Sequence, residues 1–227
     1  MRFVRPALLP ILLLTTCAAA DQLQQTLAKM EEAAASFKGL TADMKKVHYT
    51  FVIKEEDKQS GTIVVRRPKP KEMQMLMDIK EPDPQQVSFL GRTAQQYNPK
   101  TNIDSIYDVD KKYGAAVNEY MLLGFGASPK DLQQAYTIAL GGPETIGGEK
   151  TTKIELTPKK PDTTIHLIKA DLWISEQTGI AIQQQLHFAG GDYDLATYSN
   201  MKINPNIPES AVKLNLPANV KREYPLK

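Results

Sequence analysis

The chain has 227 residues, 41% of them hydrophobic and 24% charged, which is ordinary for a globular protein large enough to bury a core. With 28 Lys and Arg against 26 Asp and Glu it lacks the basic excess that marks nucleic-acid binders. Its single cysteine, Cys17, excludes an intrachain disulfide.

Arg2 and Arg5, an apolar run over residues 7–16 and three alanines at 18–20 make a secretory signal peptide of residues 1–20. The apolar run is too short to span a bilayer, and no second segment is long enough. Setting Arg2 and Arg5 aside leaves 26 basic against 26 acidic residues. Leu14, Thr15 and Thr16 ahead of Cys17 resemble a bacterial lipobox, so two fates stay open. Cleavage after Ala20 discards the cysteine, and cleavage before Cys17 leaves it as a lipidated first residue. Residues 21–227 are then expected to form a single domain.

Residues 21–37 read as an amphipathic helix, with Leu23, Leu27, Met30 and Ala34 at helical spacing and Gly39 beyond its end. The period then changes to two. Residues 40–51 predict a first strand and 54–60 a charged hairpin loop. Residues 61–77 predict two alternating strands joined by a Pro-Lys-Pro-Lys turn. On the first, Ile63, Val65 and Arg67 share a face; on the second, Met73, Met75 and Met77 share one. Short strands follow at 87–90, 94–97 and 103–109, with turns of Gly and Asn-Pro composition between them.

Residues 115–123 are compatible with a helix. Ser128, Pro129 and Asp131 give an N-cap, a first-turn proline and an early acid for another, running to about residue 136. Strands return at 138–140, 151–156, 164–175, 180–188 and 193–203, and in the third of these Leu172 and Ile174 share a face. A tail containing Pro205, Pro208, Pro217 and Pro225 reads as extended and irregular. The fold class is mainly β (α+β): one large antiparallel sheet with helices closing its open side.

Catalytic constellations are sparse. His48, His166 and His187 fall on predicted strands without a metal-ligand partner at usable spacing, so they read as surface or core-edge histidines. Neither a G-x-S-x-G, a P-loop nor an H-E-x-x-H is present. The acidic groups at 55–57 and 108–110 lack the spacing of a calcium loop. The expectation is a protein that is not an enzyme and that uses no metal and no cofactor. A methionine row on a strand is ordinary core, or a wall that adapts to varied apolar shapes. Arg67 beside it either snorkels to water or bonds at a cavity mouth to a helical lid or a ligand's head.

Several segments together resemble the bacterial carriers that sort lipoproteins to the outer membrane (LolA/LolB-like). They are residues 37–44 (FKGLTADM), 60–63 (SGTI) with Arg67-Pro68, 87–93 (VSFLGRT) with 96–99 (QYNP), 156–159 (LTPK), 172–175 (LWIS) and 200–204 (NMKIN). The resemblance implies a half-open, strongly curved antiparallel β-barrel with a lid of about three helices over an apolar cavity. It also implies a periplasmic carrier of lipoprotein acyl chains or related lipids, without covalent chemistry. Ile63, Val65, Met73, Met75, Met77, Leu172 and Ile174 would line the cavity. Leu23, Leu27 and Met30 would belong to the lid, and Arg67 would gate it. Implied partners are acylated lipoproteins or lipids, an inner-membrane release complex and an outer-membrane receptor, with no nucleic acid. The expected state is a monomer. The alternative is a lipid or lipoprotein sensor, or a receptor of the same fold anchored to the outer membrane through Cys17.

Overall fold

The structure, a computed structural model, describes residues 15–69, 72–108, 123, 125–161 and 166–225. Helix α1 spans Thr15–Ser36. The first strands are β1 (Gly39–Thr50), β2 (Glu55–Lys69), β3 (Glu72–Glu81), β4 (Gln85–Leu90), β5 (Thr93–Asn98) and β6 (Ile103–Asp108). Helix α2 (Pro129–Ala135) leads into β7 (Tyr136–Ile146), β8 (Glu149–Pro158), β9 (Leu167–Ser175), β10 (Ala181–Phe188) and β11 (Tyr193–Ile203). A 3-10 turn at Glu209–Val212 and β12 (Lys221–Glu223) complete the chain.

All twelve strands form one sheet in the order β12-β6-β5-β4-β3-β2-β1-β11-β10-β9-β8-β7. Every pairing is antiparallel except β12 with β6, which makes the sheet mixed. The expected strongly curved half-open barrel is therefore corrected. The sheet runs open from β12 to β7 with no pairing between its ends, because β1 closes onto β11 in mid-sheet and leaves β7 and β12 as opposite edges. Two α-helices, not three, stand among the described residues; the predicted helix at 115–123 lies outside them except at Leu123.

The predicted signal peptide falls largely outside the described residues, as do Pro70 and Lys71 of the expected turn. The backbone of Cys17 belongs to α1, which begins before the predicted start at residue 21. The charged hairpin loop expected at 54–60 is mostly strand. Glu55 to Lys58 pair with Thr50 to Val47, so cross-strand bonding overrides their polar composition, and the turn is 51–54, where Phe51, Val52 and Ile53 precede Lys54. The irregular tail also gains structure. Val212 is fully buried, its carbonyl accepts the Ser88 hydroxyl at 2.6 Å, and β12 pairs beside β6.

The inner face of the sheet carries two apolar clusters. One joins Leu27 and Met30 of α1 and Leu132 of α2 to Ile154, Leu156, Leu172 and Ile174. The other joins Phe37 and Phe125 to Leu40, Ile63, Val65 and Met73. Ser128 caps α2 as its composition predicts, its hydroxyl accepting the Asp131 amide at 3.1 Å, with Pro129 in the first turn.

Candidate functional site

Alternation along β2 places Arg67 one step beyond Ile63 and Val65 on the inner face, at the end of the strand nearest the close of α1. Its Nη1 donates to the carbonyl of Ala34 at 3.0 Å and to that of Gly126 at 3.3 Å. Ala34 lies in the last turn of α1, where carbonyls lack helical partners and the helix dipole is negative. A guanidinium satisfies both conditions. It also ties α1 to the segment entering α2, so one side chain joins three parts of the chain.

The junction is built closely around this contact. Gly126 has φ +79°, and a Cβ there would lie 2.8 Å from the Phe37 ring, so the segment can pass beneath Phe37 only as glycine. Asn204, just past β11, accepts the Lys38 amide at 2.6 Å and donates to the Ser36 carbonyl at 3.0 Å. Arg67 and Asn204 thus fasten the end of α1 from two sides. Sequence reading matches the segment containing Asn204 without assigning the residue a role, and gives none to Gly126, Phe37 or Phe125.

Further along α1, Gly179 in the β9–β10 turn (φ +70°) would place a Cβ 2.5 Å from the Lys29 carbonyl. The helix therefore rests directly on that turn, and Lys29 Nζ donates to the Glu176 carbonyl at 2.5 Å. Met30, Ala33, Leu123, Ala127, Ile174 and Ile180 are among the residues around a void of about 10 Å³ between helix and sheet. Such a space holds a single water at most.

Of the expected wall residues, Ile63, Val65, Met73, Leu172 and Ile174 are buried, whereas Met75 and Met77 are half-buried and pack against the Phe37 cluster. Leu27 and Met30 are buried on the side of α1 that packs against the sheet cluster, and Leu23 packs partly exposed beside them. These residues share a face but divide between the two clusters. Phe125 meets Tyr198 edge-to-face with centroids 4.9 Å apart. Burial pushes the Tyr198 hydroxyl far above its usual range, so it stays neutral and accepts from Gln184 Nε2 at 3.0 Å.

The histidines do not converge. His48 bonds Asp194 at 2.6 Å, His187 bonds Asp171 at 3.0 Å, and His166 precedes β9 rather than lying in a strand. Among the described residues, no group of three or more His, Cys, Asp or Glu is placed to hold a metal ion.

No protein-family model matches the chain. An outer-membrane lipoprotein carrier protein of Cupriavidus pinatubonensis (strain JMP 134 / LMG 1197) is 29% identical over 138 residues, 57% of this chain and 61% of the relative. The match thus spans under two thirds of that relative's length. Among solved structures, an uncharacterized conserved protein from Thermus thermophilus aligns with a TM-score of 0.55 and 12% identity, over 89% of this chain and 99% of the other. The crystal structure of MucB aligns with a TM-score of 0.53 and 13% identity, over 91% of this chain and 66% of the other. Both structural likenesses show the fold alone.

Proposed function

We propose that the protein is a periplasmic carrier that takes up the acyl chains of lipoproteins, or related lipids, between α1 and the inner face of the sheet. The observation that carries this reading is the Arg67 bond to the carbonyls of Ala34 and Gly126, a polar clasp set over apolar surface. The 29% identity to a lipoprotein carrier protein supports it. Residues 1–20 act as the signal peptide and 21–227 as the carrier domain; cleavage before Cys17, leaving it as a lipidated first residue, is the alternative.

The energetics favour a hinged lid over a permanent cavity. Each buried methylene gains about 0.8 kcal/mol, so an acyl chain stabilises an open form by more than the clasp costs to break. Hydrogen bonds from a charged donor contribute about 1.5–3 kcal/mol, enough to close the empty lid without sealing it. Ile63, Val65, Met73, Met75, Met77, Leu172 and Ile174 then become the wall, Leu23, Leu27 and Met30 the moving face, and Arg67 the gate. Acylated lipoprotein is the cargo, passed from an inner-membrane release complex to an outer-membrane receptor. Mass spectrometry of material co-purified from native periplasm tests this. Acylated lipoprotein is the expected occupant, and a consistently empty chain overturns the reading. Arg67→Leu is expected to keep its fold while changing the release of bound acyl chains; release like the parent's removes Arg67 from the gate.

A further inference from the structure

The β1–β2 hairpin ends in three consecutive exposed apolar residues. Among the described residues, Phe51 is 53% exposed, Val52 85% and Ile53 60%, the highest values for large hydrophobic side chains together with Ile168, which equals Phe51. The tip is well supported from below. Thr50 pairs with Glu55, Tyr49 stacks on Tyr193 at 4.9 Å, and the Phe51 amide donates to Asp192 at 2.8 Å. Lys54 closes the turn in the left-handed region at φ 57°. The hairpin therefore holds its apolar side chains outward from a rigid base.

The tip also stands clear of the sheet on one side. Strand β2 pairs with β3 only from Ser60 onward, so residues 55–59 run past that neighbour for about 17 Å. On the other side the 189–192 turn packs beneath Phe51, where a Cβ on Gly191 would fall 2.8 Å from the ring. By register, the exposed Ile168 near the start of β9 lies at this same end of the sheet. The lid clasp sits at the opposite end of β2, so this surface is separate from the candidate cargo site.

We propose that residues 51–53 insert into the interfacial region of a zwitterionic lipid bilayer and dock this end of the protein on a membrane surface. Three side chains on a convex tip present a few hundred Å² at most, below the roughly 800 Å² per partner of a stable protein interface. A bilayer needs no matching groove. It accepts apolar side chains individually while a charged collar stays in the headgroup layer. That collar is Lys54 and Lys58 with Glu55, Glu56, Asp57 and Asp192. It carries no basic excess, so anionic headgroups give it no attraction and the apolar tip supplies the binding.

The test uses the full chain and phosphatidylcholine vesicles. In Val52→Trp, vesicles are expected to blue-shift the emission, and lipid brominated near the headgroup is expected to quench it. The native Trp173 is only 5% exposed and contributes a constant background. An apolar segment elsewhere in the chain could bind vesicles too, but it would not bring position 52 into the quenching layer. Phe51→Ser with Ile53→Ser should weaken the parent's partitioning by about tenfold for each side chain removed, with an unchanged urea midpoint showing that the fold persists. Absence of quenching at position 52 overturns the proposal. So does self-association without vesicles that Val52→Asp abolishes while vesicle quenching is missing, since a second copy would then be the occupant.

Discussion

Strands β8 to β10 and strands β3 to β4 both turn an apolar row towards the helical side, yet they are covered to different degrees. Ile154, Leu156, Ala170 and Leu172 are wholly buried, with α1 and α2 packed into their cluster. Met75 and Met77 keep intermediate exposure against the second cluster, and Val87, paired with Met77, is half-buried as well. The same alternation thus packs the β8–β10 row tightly, while on β3 and β4 it buries Met73, Ile79 and Phe89 but leaves a half-covered margin at Met75, Met77 and Val87. Two methionines, Met75 and Met77, occupy that margin, where a flexible, polarizable side chain can repack without leaving a fixed void. If the sheet admits an apolar guest, this margin can yield at lower cost than the half pressed beneath α1.

Truncation on each side should expose that inequality. Leu172→Ala removes a fully buried side chain from a closed environment and is expected to cost about 2–5 kcal/mol in urea unfolding. Met77→Ala, at the half-buried margin, should cost about 1 kcal/mol. Equal losses would mean that both halves are ordinary core and that the margin has no special softness.

Arg67→Leu falls next in size and probes the connection between the halves. It removes two hydrogen bonds, leaves the Ala34 and Gly126 carbonyls short of a partner and should cost about 1–3 kcal/mol. The distinguishing readout is hydrogen exchange. Amides in the last turns of α1 should exchange faster while those of β8 and β9 keep their protection. Uniform acceleration across the sheet would show that Arg67 supports global stability and not the seating of the helix.

Much of the strand content was legible because period-two alternation is a local property, visible in 63–67, 73–77 and 167–175. The Ser128 cap was legible for the same reason, since cap chemistry lies within four residues. The open sheet was not. Its order depends on β1 meeting β11, strands separated by more than 140 residues, and no local pattern encodes that pairing. The turn at 51–54 was misplaced because Phe51 extends the apolar alternation of β1, while the polar residues after it are held in β2 by cross-strand bonds. Arg67 stands out in the sequence by its face and its position at the end of an apolar row. Its partners are backbone carbonyls, which any residue supplies, so side-chain identities could not name them.

A finer contrast lies on the outer face, where each half of the sheet buries one aspartate. Burial pushes the Asp171 carboxyl up, but Lys169 at 3.0 Å, His187 at 3.0 Å and Lys153 at 3.4 Å outweigh that and hold it below the usual range. Asp104 is wholly buried with Gln95 at 3.3 Å and Arg222 only at 3.9 Å, and burial leaves it raised. The linkage signs are therefore opposite. Asp171 binds its proton less readily when folded, so its stabilisation is present above about pH 4 and is lost as pH falls through the lowered folded value. Asp104 binds its proton more readily when folded, so it contributes less as pH rises from about 4 through its raised value. Asp171→Asn should destabilise at pH 7, with the difference shrinking in acid. Asp104→Asn should stabilise at pH 7 and lose that gain near pH 4, as read from urea midpoints at the two pH values. Matching signs for the two variants would mean that the Arg222 contact compensates Asp104 as fully as the cationic cluster compensates Asp171, and the two halves would then be electrostatically alike.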